Sequence, residues 1–241
     1  MIFFDLDGTL LDYDAAHAAG LAALYRACRS RLGLDEASFY RAWFGLGGRH
    51  LKRYLPGRGG FTRQQVARTQ QLFGLAGRPI PLSDAREVYA SYLAAFEARW
   101  EAFDDVGACL DSLTDRRLGV LTNGDPDQQT RKLAVMGLEQ RFELLVTPLD
   151  AGAGKPDPRI FRHACRCAGE TPGACAYVGD DLELDIVPAA ELGMQAIWLN
   201  RRKSPQEVPR GVAQIAGLAD LRRLLSGRPA AAAPRPRWHR Q

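Results

Sequence analysis

Apolar positions follow two rhythms along the 241-residue chain. Residues 2–6, 118–121, 144–147, 176–178 and 196–199 are short, nearly continuous apolar runs, the pattern of strands buried on both faces. Between the later runs, residues 106–116, 127–136, 158–168 and 185–192 carry apolar side chains at helical spacing. Gly137 and Gly193 follow two of these stretches, and Asp157-Pro158 opens a third, as expected of helix stops and starts. Strand alternating with helix predicts βαβ units, hence a parallel sheet with helices on both faces. The block from 14 to 101 differs. Residues 15–31, 64–75 and 83–99 repeat at helical spacing, separated by Gly- and Pro-containing breaks at 56–60 and 77–79. The expected organisation is therefore an α/β Rossmann-like core, residues 1–13 and 102–226, with a small all-helical domain, residues 14–101, inserted after the first strand. Residues 227–241 are basic and rich in Pro and Ala, and read as a disordered tail.

Composition adds exclusions. With 46% hydrophobic and 25% charged residues, the chain is ordinary globular protein, not a disordered, collagen-like or disulfide scaffold. No window approaches the roughly 20 apolar residues of a membrane-spanning helix, so no membrane is expected as a partner. Because Met1-Ile2-Phe3-Phe4 runs straight into Asp5, no basic leader is expected. Five cysteines without a CxxC suggest reduced thiols and a cytoplasmic setting. The net charge of +4 is mild and gathers partly in Arg228, Arg235, Arg237 and Arg240, which does not argue for nucleic acid. Lys52, Lys132, Lys155 and Lys203 are the only lysines among 32 basic residues, so a lysine at a chemically sensitive position carries weight.

In an open parallel sheet, ligands collect at the carboxyl ends of the strands. Asp5-Leu6-Asp7-Gly8-Thr9 follows the first run, Thr122-Asn123-Gly124-Asp125 the second, and Gly154-Lys155-Pro156 the third. Gly179-Asp180-Asp181 follows the fourth, with Asp185 one helical turn on. Acids gathered at one rim repel unless a cation sits among them, and oxygen-only ligands favour a hard ion such as Mg²⁺.

Four such motifs in this order resemble the haloacid dehalogenase-like hydrolase superfamily: Asp5-x-Asp7-Gly8-Thr9, Leu121-Thr122-Asn123, Gly154-Lys155-Pro156, and Val178-Gly179-Asp180-Asp181 with Asp185. The inserted helical block is similar to that family's small cap. The resemblance implies that Asp5 attacks phosphorus to form an aspartyl-phosphate and that Asp7 is general acid, then base. It implies a Mg²⁺ ion held by the Asp5 carboxylate, the Asp7 backbone carbonyl and Asp180, with Asp185 reaching it directly or through water. Thr122, the Asn123 N–H and Lys155 would hold the phosphoryl oxygens. The implied activity is hydrolysis of a small phosphate monoester, with sugar phosphates, phosphoglycolate and nucleoside monophosphates all open, by a monomer or homodimer. Dehalogenases of the family lack an acid at the position of Asp7 and need no metal; phosphoglucomutase-like relatives keep it. A non-catalytic interaction protein is the rival from another class.

Other residues have plainer readings. Asp181 is expected to cap the helix before Asp185. His163, Cys165 and Cys167 step about 200° per pair on a helix, so they cannot converge on one zinc ion. His17 and His50 are expected to be surface or satisfied residues, and Phe39, Tyr40, Trp43 and Phe44 to be core of the helical domain. Gly45-Leu46-Gly47-Gly48-Arg49 reads as a flexible segment, and Arg49 has two readings: a ligand for a second anionic group of the substrate, as the resemblance to capped relatives implies, or a solvated arginine at a helix start.

Overall fold

The computed structural model describes residues 1–51 and 60–225, without the side chains of 48–51 and 61. The chain forms two compact units: Met1–Asp12 with the described part of Glu101–Gln241, and Tyr13–Trp100. In the first unit the strands are β1 (Ile2–Phe4), β2 (Leu118–Leu121), β3 (Leu144–Val146), β4 (Ala176–Gly179), β5 (Gln195–Leu199) and β6 (Ala213–Ile215). They form a parallel sheet in the order β3-β2-β1-β4-β5-β6. Its helices are α5 (Val106–Ser112), α6 (Pro126–Val135), α7 (Pro148–Ala151), α8 (Pro158–Ala168), α9 (Val187–Glu191) and α10 (Leu221–Leu225). The other unit carries α1 (Tyr13–Leu32), α2 (Glu36–Leu51), α3 (Gly60–Leu75) and α4 (Leu82–Glu97).

Side chains alternate across the strands and so fill two cores. Ile2, Phe4, Val120, Val178 and Ile197 pack with Leu110, Leu133 and Leu221 on one face. Phe3, Leu121, Tyr177, Ala196 and Trp198 pack with Ile160, Phe161 and Ala189 on the other. Burial on both faces explains why the strands read as continuous apolar runs. β6 escaped the sequence reading because three residues with an exposed Gln214 at the sheet edge give too short a signal. The helix expected over 185–192 starts earlier, with a π-helical turn at Leu182–Ile186 feeding α9. Residues 227–241, read as a disordered tail, lie outside the described residues.

β1 lies between β2 and β4, with Phe4 opposite both Val120 and Val178. The register sets the carboxyl ends of these strands side by side, so Asp5, Thr122 and Asp180 follow adjacent strands. The Asp5 N–H extends the ladder to the Val178 carbonyl at 2.9 Å, and the Thr122 N–H to that of Val146 at 3.0 Å. Asp125 caps α6, accepting from the Asp127 and Gln128 N–H groups, with Pro126 at the first helical position.

The helical unit corrects two expectations. Gly45, Gly47 and Arg49 belong to α2, not to a loop. Phe39, Trp43 and Leu46 recur at i, i+4 and i+7 and are buried, which anchors the helix despite its glycines. Phe44 falls off that stripe and is 58% exposed, so it is not core. α1 meets α4 at Gly20, where a Cβ would lie 2.6 Å from the Tyr92 ring; glycine lets the ring lie against the helix.

Candidate active site

Asp5, Asp180 and Asp185 converge at the carboxyl edge of the sheet, each offering a carboxylate oxygen within 4.8 Å of the others. Two glycines make room for them. A Cβ on Gly8, whose φ is +90°, would stand 2.5 Å from Asp180 Oδ2, and one on Gly179 would stand 2.5 Å from Asp185 Oδ2. The Trp198 indole donates to the Asp180 carbonyl at 3.0 Å and fixes the backbone there. Asp181 accepts from the Glu183 and Leu184 N–H groups and lies outside the trio, a capping role as expected.

Lys155 reaches into this cluster from the loop before α8. Its Nζ donates to Asp5 Oδ1 at 2.7 Å, Asp185 Oδ1 at 2.5 Å and the Tyr177 hydroxyl at 3.1 Å. Asn123 seats that loop: its Nδ2 donates to the Lys155 carbonyl at 2.9 Å, and its Oδ1 accepts from the Lys155 N–H at 2.7 Å. Burial pushes the Asp5 carboxyl well above its usual range against the pull of Lys155, and Asp185 and Asp180 push it further. Asp180 is raised to about 6, first by burial and then by Asp185. Burial opposes the Lys155 charge, yet Asp185 and Asp5 outweigh it and raise its pKa. Tyr177 is raised by burial and by Asp185, so the phenol keeps its proton.

Asp7 has separate partners. Oδ1 accepts from Lys132 Nζ at 2.6 Å and Oδ2 from Gln129 Nε2 at 2.9 Å. Gln129 Nε2 also donates to Thr122 Oγ1 at 2.7 Å. The arrangement is a carboxylate cluster with one ammonium inside it, beside a second carboxylate gripped by lysine and amide. A family model described as haloacid dehalogenase-like hydrolase matches residues 1–193. The chain belongs to this family.

Its relatives are hydrolases of more than one kind. The chain is 30% identical over 231 residues to the phosphoserine phosphatase of Thermus thermophilus, covering 86% of this chain and 91% of that one. It is 30% identical over 210 residues to the glyceraldehyde 3-phosphate phosphatase of Methanothermobacter thermautotrophicus, covering 86% and 88%. Among solved structures, the 2-haloacid dehalogenase of Pseudomonas syringae pv. Tomato is 28% identical with a TM-score of 0.69, covering 94% and 97%.

This haloacid dehalogenase-like hydrolase brings some of the residues expected from sequence together and not others. Asp5, Asp180, Asp185 and Lys155 meet in one cluster. Asp7 and Thr122 join through Gln129, and Asn123 braces Lys155. Arg49 lies in α2 by its backbone, and its side chain is outside the described residues, as is that of His50. His17 is satisfied by the Tyr92 hydroxyl at 2.6 Å. Cys165 is buried beside Cys175 while Cys167 is exposed, so this pair does not converge. The sequence reading missed Lys132, Gln129 and Tyr177. A signal existed for two of them: Gln129 and Lys132 share the buried face of α6 with Leu133, polar residues where an amphipathic helix should be apolar.

Proposed function

We propose that the chain is a Mg²⁺-dependent phosphatase acting on a small phosphate monoester through an aspartyl-phosphate on Asp5. The meeting of Asp5 with two further carboxylates and one lysine carries the reading. Such a donor set, oxygen-only and electrostatically strained by burial, fits a hard divalent cation. Asp5, Asp180, Asp185 and the Asp7 carbonyl would hold it. When bound, the ion supplies positive charge that offsets repulsion between a carboxylate nucleophile and an anionic ester.

The residues then divide the work. An Asp5 oxygen forms a bond to phosphorus as the bond from phosphorus to the ester oxygen breaks. Asp7 gives its proton to the departing alkoxide. Water next attacks the phosphoryl group, Asp7 takes the water's proton, and the bond to Asp5 breaks to release phosphate. Lys155, the Thr122 hydroxyl and the Asn123 N–H hold the phosphoryl oxygens throughout. Retention of an acid at Asp7 favours ester hydrolysis over dehalogenation, and the two phosphatase relatives support it. We assign Tyr13–Trp100 as the cap, in keeping with its insertion after β1 and with a small metabolite as substrate. Five cysteines that form no disulfide among the described residues support a cytoplasmic setting.

Phosphate release from a panel of small phosphate esters, with and without EDTA, tests this. Turnover that EDTA abolishes and Mg²⁺ restores is expected. Chelator-resistant turnover rejects the metal, and halide release from 2-haloacids without phosphatase activity rejects the reaction.

A further inference from the structure

Lys132 is 1% exposed, although lysine is almost never buried without a reason. Its ammonium lies 2.6 Å from Asp7 Oδ1, while Gln129, three residues earlier on the same face of α6, donates 2.9 Å to Oδ2. Both oxygens of one carboxylate are therefore gripped by one helix through one lone pair each, and the second lone pair is where the transferred proton sits when Asp7 acts as acid. Gln129 also donates to Thr122 Oγ1 at 2.7 Å, and the Gly124 N–H donates to the same oxygen at 3.2 Å. A hydroxyl oxygen has two lone pairs and one hydrogen. With both lone pairs accepting, the Thr122 hydrogen is left to donate.

The amide is held this way at a cost. Gln129 is fully buried, and its Oε1 has no hydrogen-bond partner among the described residues. An unmet buried acceptor costs about 1–3 kcal/mol. The reverse amide orientation would face Oε1 to the Asp7 carboxylate, so the two N–H contacts outweigh the unmet acceptor. Gly124 supplies the space, since any Cβ there would collide with the Gln129 side chain. The Asp125 cap fixes the first turn of the helix that presents both residues.

We propose that Lys132 and Gln129 are positioning residues, a clamp on α6 that aims the Asp7 carboxyl at the ester oxygen and turns the Thr122 hydroxyl outward as a donor to the phosphoryl group. The inference rests on the phosphatase reading, in which Asp7 protonates the leaving alkoxide. Losing the clamp therefore matters most where the leaving group needs a proton.

The test compares an alkyl phosphate with 4-nitrophenyl phosphate, whose phenolate leaves without one, in the presence of Mg²⁺. Lys132→Met is expected to lower kcat on the alkyl ester about 100-fold, the lower end of what general acid catalysis supplies, with a much smaller fall on the nitrophenyl ester. Gln129→Met is expected to show the same split and, because Thr122 loses its orientation, weaker inhibition by inorganic phosphate. Equal losses on both esters, tracking a lowered thermal midpoint, would make the clamp merely structural and overturn the proposal; so would unchanged kinetics. If Lys132→Met does not fold, Gln129→Met, neutral for neutral, carries the same comparison. Wild-type protein that turns over neither ester rejects the phosphatase reading and the clamp with it. Active wild type with unsplit variants rejects the clamp alone.

Discussion

In the α/β unit, Asp5, Asp180 and Asp185 crowd around one lysine, and burial holds two of the three acids above their ordinary range. In the helical unit the charged side chain buried among the described residues is a cation. Arg68, 8% exposed, lies over the Trp43 ring at 3.9 Å and donates to the Trp43 carbonyl at 2.6 Å, with no carboxylate partner among the described residues. His17 nearby is lowered to about 4, by burial and then by Arg68. One unit concentrates negative charge that asks for a cation; the other buries positive charge against aromatic faces. Burial is comparable in the two, so what separates these clusters is the sign and convergence of the charges.

Three substitutions sharpen or break this contrast. Asp5→Asn is expected to abolish phosphate release while the protein stays folded, since an amide is a poor nucleophile and removing one of three clustered charges relieves repulsion. Turnover near the wild-type rate in that variant would break the covalent mechanism. Lys155→Met strips the ammonium from between two buried carboxylates and should cost about 3–5 kcal/mol in denaturant unfolding with EDTA present. Added Mg²⁺ should recover part of that loss. Arg68→Met, by contrast, removes a buried charge that has no acid to abandon. The gain in desolvation and the loss of the Trp43 stack should nearly cancel, leaving a change under about 1 kcal/mol. A loss at Arg68 as large as that at Lys155 would mean that the two clusters are built alike.

Stability against pH gives the smallest effect. His17 binds a proton in the unfolded chain near 6.5 but in the folded one only near about 4, so its share of stability is lost as pH falls through that window. Asp180 runs the other way in metal-free protein. The folded chain keeps a proton up to about 6 that the unfolded chain releases near 3.8, so rising pH across that range lowers stability. Thermal midpoints of His17→Gln and Asp180→Asn, measured from pH 4 to 7 in EDTA, should each flatten one of two opposed slopes.

The strand ends announced themselves in sequence because a parallel sheet forces its loops to one rim, and Asp5, Thr122, Lys155 and Asp180 all sit there. Their neighbours were harder to read. Lys132 and Gln129 reach Asp7 through tertiary packing of α6, which no strand-end motif encodes, and only their polarity on a buried helical stripe hinted at it. Tyr177 looked like one more apolar strand residue; its hydroxyl meets Asp185 and Lys155 only once β4 is in the sheet. In the helical unit, glycines at 45, 47 and 48 suggested a loop, yet Trp43 and Leu46 bury deeply enough to keep α2 helical. Local propensity lost there to packing.

In the proposed mechanism Asp5 carries the phosphoryl group between substrate and water. Acid quenching of protein turning over a phosphate ester, followed by peptide mass spectrometry, addresses it directly. A phosphoryl adduct is expected on the peptide containing Asp5, absent from Asp5→Asn. Product accumulating at the full rate with that peptide never modified, while another residue carries the group, would contradict it.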